Sequence, residues 1–191
     1  MRVKLKDFQA GAVERLLSSM GKMQELYERD GMLSAVSLTA PTGSGKTVTA
    51  VKLAKALADK KRNVALLLCD MTAPMLPCIC PPSELECERS LGSVLAVPHI
   101  SDALIKNNCV THKRLSYLTL LGMKKGENEY TYPPYTEQQA TELLDGLREI
   151  APYIIVDCGS YIANDIRRED VIGNIAAGLV LLVMYMTQIE K

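Results

Sequence analysis

The chain has 191 residues, 48% of them apolar, enough to bury a substantial core within one domain. Its 22 Lys and Arg balance 22 Asp and Glu, which excludes a global field drawing the whole protein to nucleic acid or an anionic surface and leaves only local patches for such contacts. Six cysteines occur with no secretory leader pattern at the start, so reduced thiols in a cytoplasmic setting are expected.

Taken in chain order, Phe8, Ala12, Val13, Leu16, Leu17, Met20, Met23 and Tyr27 fall on one face of a helix over residues 7–29, with Asp7 as its cap and Gly31 as its stop. Ala35-Val36-Ser37-Leu38 alternates like a short buried strand. The glycine-rich stretch Ala40-Pro41-Thr42-Gly43-Ser44-Gly45-Lys46-Thr47 follows, and Val48, Val51, Ala54, Leu57 and Ala58 then recur at helical spacing. Residues 63–70 form an apolar run that ends on Asp70. Pro74, Pro77, Pro81, Pro82 and Pro98 make regular structure unexpected for most of residues 71–98.

A short helix is expected over residues 102–106, a strand over 115–121, and a polar surface loop over 122–135 carrying Tyr130, Tyr132 and Tyr135. Thr136 followed three residues later by Gln139 is a capping-box pattern, and Ala140, Leu143, Leu144 and Leu147 make the helix it opens amphipathic. Pro152 ends that helix, and Tyr153-Ile154-Ile155-Val156-Asp157 is a second apolar strand closed by an acid. Residues 171–186 are almost continuously apolar, but this is shorter than the about 20 residues a membrane-spanning helix needs. The run reads as buried core with a last strand around 179–184, and no stable membrane insertion is expected.

Alternating strands and helices imply an α/β fold: a doubly wound, mostly parallel sheet with helices on both faces, in three layers, of the P-loop NTPase kind. One domain is expected, with residues 1–33 as a helical extension and 34–191 as the nucleotide-binding core. Ligands in such sheets sit at the carboxyl ends of the strands, where Lys46, Asp70 and Asp157 all fall.

The chemistry begins at the glycine-rich turn, which lets successive N–H groups converge on an anion at the positive end of the next helix. Thr42, Gly43, Ser44, Gly45, Lys46, Thr47 and Val48 are thus the expected phosphate-binding set, with Lys46 reaching the terminal phosphates and the Thr47 hydroxyl holding magnesium. Asp157 is the acid expected to hold the metal through water or to accept a hydrogen bond from Thr47, and Gly159 would admit a backbone N–H to the terminal phosphate. Asp70 is a second metal-shell acid, a positioner of the attacking water, or a structural acid. Cys78, Cys80 and Cys87 with His99 do not match common structural zinc spacings, so unligated cysteines are expected. The basic trio His112, Lys113 and Arg114 reads as ordinary surface.

From the loop to about residue 166 the chain resembles the ParA/MinD partition and positioning ATPases, through residues 43–54, 66–70 and 153–159. That resemblance implies ATP and magnesium as ligands, roles in binding and hydrolysis for Lys46, Thr47, Asp70 and Asp157, and protein partners. The family's signature lysine, which reaches across an ATP-bridged homodimer, is replaced here by Pro41. Residues 5–13 together with 38–47 resemble the start of a superfamily-two helicase of the type III restriction-subunit kind, which implies that Gln9 reads adenine and that DNA is a substrate. That family's Asp-Glu box is missing, because Cys158 follows Asp157. The two resemblances meet at the shared loop and imply a mosaic or truncated chain. Three readings follow: a magnesium-dependent ATPase of the partition type, a helicase or restriction-subunit fragment acting on DNA, and a scaffold that binds nucleotide without turnover.

Overall fold

The computed structural model describes residues 6–31, 34–39, 45–70, 73–80, 89–128, 130–157 and 180–185. The first helix, α1 (Asp7–Asp30), buries Val13, Leu16, Met20 and Met23 and stops at Gly31, whose left-handed φ of 67° suits a residue without a Cβ. Its cap is Lys6 rather than Asp7: the Gln9 side chain reaches back to accept from the Lys6 N–H at 2.9 Å, leaving Asp7 as an acid in the first turn. Strand β1 (Ser34–Thr39) leads toward the glycine-rich turn, and α2 (Lys46–Asp59) follows it. The buried face of α2 is Lys46, Thr49, Ala50, Leu53, Ala54, Leu57 and Ala58. Val48 and Val51, expected on that face, are only half-buried, since the small Ala50 and Ala54 are turned to the sheet.

Strand β2 (Val64–Leu68) is buried along its whole length. The proline-rich stretch beyond it holds two short helices, α3 (Leu76–Ile79) and α4 (Leu91–Leu95). Helix α5 (Asp102–Asn108) is capped by Ser101, and β3 (Val110–Thr111) precedes β4 (Leu118–Gly122). The strand expected from residue 115 starts later because Leu115 is held in a turn, donating to the His112 carbonyl. Helix α6 (Glu137–Ile150) opens with the expected Thr136–Gln139 capping box and leads to β5 (Tyr153–Asp157). The last strand, β6, is Val180–Tyr185.

The sheet order is β1-β6-β5-β2-β4-β3. Four strands, β1, β2, β4 and β5, run the same way, while β3 and β6 run against them. Leu68 is level with both Gly122 and Asp157, and Leu181 lies between Asp157 and Leu38, so the carboxyl ends of all four parallel-running strands share one edge.

Alternation along β2 separates two cores. Val64, Leu66 and Leu68 pack beneath α1, α2 and α3, whereas Ala65 and Leu67 pack against α4, α5 and α6. The result is three layers. Tyr132 and Tyr135 join the second core as half-buried residues, contrary to the expected surface loop, and only Tyr130 is left at 87% exposure. The Tyr132 ring occupies the space that a Cβ on Gly92 would need, and its hydroxyl donates to Glu127 at 2.7 Å. Among the described residues no helix is long and apolar enough to cross a membrane.

Candidate nucleotide site at the carboxyl edge of the sheet

The glycine-rich turn reaches α2 through Gly45, whose φ of 78° lies in the left-handed region. Its carbonyl accepts both the backbone N–H of Thr49 at 3.0 Å and the Thr49 hydroxyl at 3.1 Å, which locks the first turn of the helix. A side chain at Gly45 is strained by its backbone angle, and a Cβ there would displace the Nε2 end of Gln9. The buried Gln9 thus binds two places: its oxygen caps α1, and its nitrogen lies against the end of the turn.

Lys46 is the first residue of α2, where unsatisfied backbone N–H groups and the helix dipole favour an anion. Its side chain is buried, and so are Asp70 and Asp157. The two acids are brought together by the ladder, which continues one residue past β2: the Cys69 N–H donates to the Asp157 carbonyl at 2.8 Å. Asp70 then turns the chain, accepting from the Ala73 N–H at 2.8 Å. Burial pushes the Lys46 ammonium below its ordinary value, and the Asp157 and Asp70 carboxylates pull it back up. Burying three such charges is tolerable only because opposite signs face one another.

Of the residues singled out from sequence, Lys46, Asp70 and Asp157 lie at one edge, with Gly45 as the cap of α2, Thr47 and Val48 at the start of that helix, and Gln9 packed against Gly45. Thr42, Gly43, Ser44 and Gly159 lie outside the described residues. Thr49 was not anticipated; its signal is a hydroxyl four residues after a turn glycine. The donors fit a hard divalent cation, because the Thr47 hydroxyl and the two carboxylates offer oxygen only, beside a helix start suited to phosphate. The cysteine group offers no comparable arrangement. Cys78 is exposed, Cys80 is buried, Cys87 lies outside the described residues, and His99 is exposed beside Glu142. Among the described residues no three His, Cys, Asp or Glu side chains gather as a metal cluster.

Residues 39–186 match the family model described as the CobQ/CobB/MinD/ParA nucleotide binding domain. Residues 2–73 match a second model, described as Type III restriction enzyme, res subunit. The matches overlap over residues 39–73, which hold the glycine-rich turn, α2 and β2. No curated protein matches the chain.

Proposed function

We propose, since the chain belongs to the CobQ/CobB/MinD/ParA nucleotide-binding family and is a P-loop NTPase, that its carboxyl-edge site binds ATP with magnesium and hydrolyses it in the manner of the partition and positioning ATPases. The observation that carries this reading is the buried meeting of Lys46, at the start of α2, with Asp70 and Asp157 from two other strand ends. Lys46 and the backbone N–H groups of residues 43–47 hold the phosphates and offset the charge that builds on the terminal phosphoryl group. Thr47 and Asp157 would hold magnesium, which supplies further charge neutralisation on the phosphate oxygens when bound. Asp70, fixed by its turn to Ala73, orients water at the same edge. The site belongs to one domain in this reading, with α1 as an extension packed against it.

Lys46→Ala tests the site. Titration with a fluorescent ATP analogue should show affinity reduced by at least about a hundredfold, as removal of a charged, buried contact to phosphate requires. Unchanged affinity refutes the assignment. Asp157→Ala should retain nucleotide and lose phosphate release, an outcome that excludes a scaffold without turnover; release at the parent rate refutes the role given to this acid. Calorimetric titration with ATP and GTP, with and without magnesium, fixes the base and the metal requirement.

A second reading rests on the match of residues 2–73 and the packing of Gln9 on Gly45: a DNA-stimulated ATPase derived from a restriction subunit. It requires that duplex or single-stranded DNA raise turnover and that Gln9→Ala weaken ATP more than GTP. Equal losses for the two nucleotides, with no stimulation, exclude it.

A further inference from the structure

The opposite edge of the sheet carries a charged surface that nucleotide binding does not use. The pairing of β2 with β4 sets residues 60–63 beside residues 113–117, since Val64 is level with Leu118 and the Val64 N–H donates to the Tyr117 carbonyl at 2.9 Å. Two loops that are far apart in sequence thereby enter neighbouring strands, which are about 5 Å apart where Val64 meets Leu118. They hold five cations, Lys60, Lys61, Arg62, Lys113 and Arg114, all exposed, and no acid. Among the described residues none of the five takes part in an ion pair, while Asp59, the nearest acid in sequence, is occupied by Lys55 at 2.6 Å. Glu149 is an exposed acid shortly before β5, the strand on the other side of β2.

Both loops are shaped in advance. Lys61 and Arg62 donate backbone N–H groups to Ala58 and Leu57, and the second loop is tied by Leu115 to His112, Leu118 to Leu115, and Arg114 to the His112 ring nitrogen at 3.2 Å. Lys61 even adopts a φ of 59°, a conformation uncommon for a residue with a side chain. Lys60, Lys61 and Arg62 also lie at the carboxyl end of α2, but Lys113 and Arg114 have no helix end to serve. Tyr117, 38% exposed, adds an aromatic face at the rim of the cations.

We propose that this edge binds the backbone of a single-stranded nucleic acid, the five cations meeting phosphates and Tyr117 stacking on a base. An acidic protein segment would satisfy the charges without calling on the tyrosine, whereas every nucleotide of a strand brings both a phosphate and a flat base. Because the patch lies at the amino ends of β2 and β4, whereas Lys46, Asp70 and Asp157 lie at the carboxyl edge, both sites can be filled together.

The test is fluorescence anisotropy of the full chain with a labelled 20-nucleotide oligothymidine and the matching RNA. Binding should weaken with salt, with a log–log slope approaching about −3.5 for five phosphate contacts on a single strand. The combined Arg62→Ala, Lys113→Ala, Arg114→Ala variant should lose at least tenfold in affinity and flatten that slope by about 2. Tyr117→Ala should lose about fivefold or more by removing the stack. Lys46→Ala should bind the strand as the parent does, which separates a failure here from a failure of the nucleotide site. No binding at 50 mM salt, an unchanged triple variant, loss in Lys46→Ala, or equal competition by polyglutamate with no effect of Tyr117→Ala overturns the proposal.

Discussion

The two faces of the sheet bury comparable strands but hold their helices by different means. On the first face, α1 and α2 are long and regular, and they pack by apolar contact with few polar ties, such as the Tyr153 hydroxyl donating to Gln24 at 3.1 Å. On the second, the short α4 and α5 pack beside the 14-residue α6, and side chains satisfy the backbone that regular structure leaves open. Gln139 donates to the carbonyls of Leu95 and Val97, Glu142 accepts from the Ile100 N–H at 2.8 Å, and Asn108 bridges Ser90 and Leu104. An element that supplies its own hydrogen bonds can be attached by a greasy face alone, whereas an irregular one needs polar donors from its neighbours.

That contrast can be broken or sharpened, starting from the common core. Leu66 and Leu67 are both fully buried on β2 and face opposite sides, so Leu66→Ala and Leu67→Ala should each cost about 2–5 kcal/mol in urea denaturation. A markedly smaller loss on one side would show that its helices are loosely seated. Next in size, Gln139→Ala strips two carbonyls of their donor and should cost about 1–3 kcal/mol, against under about 1 kcal/mol for Tyr153→Phe on the first face. Equal costs would end the distinction.

A smaller effect concerns acid. The Ile100 N–H, then Gln138 and His99, hold the Glu142 carboxyl below its ordinary value of 4.5. A lowered folded value means that the stabilisation is complete above about pH 4.5 and fades as pH falls through the folded value. Glu142→Gln should therefore lower stability at neutral pH and remove the decline that this group causes as pH falls through that acid window; a variant with the parent's profile counts against the tie. Smallest of all, burial in the second core pushes the Cys109 thiol up to about 11, so iodoacetamide at pH 8 should label exposed Cys78 and spare Cys109 until the chain is denatured.

Much of this architecture was legible from local signals. The Thr136–Gln139 cap, the Leu143, Leu144 and Leu147 stripe, and the strand ending in Asp157 are patterns complete within a few residues and form where they were expected, while the strand expected to end on Asp70 stops at Leu68, two residues before it. The family and the fold class were legible in the same way. What escaped depended on partners distant in sequence. The direction of β6 is not written in its side-chain period, because a near-continuous apolar run has the same composition whichever way it runs. The cap at Lys6 comes from a glutamine that also packs on Gly45, and Tyr132 enters the core because Gly92 leaves room for its ring. The basic edge needed the β2–β4 register, since neither loop alone carries all five charges.

The place of β6 has a consequence for how this protein comes into being. Among the described residues the ribbon that feeds the phosphate site has no neighbour in the sheet except β6, so Ser34 waits for Tyr185 before it can be zipped in. During synthesis, therefore, the strand that precedes the lysine stays unpaired in the sheet until residue 185 has left the ribosome. Nascent fragments ending before residue 180 should carry the signature motif and yet fail to grip a nucleotide.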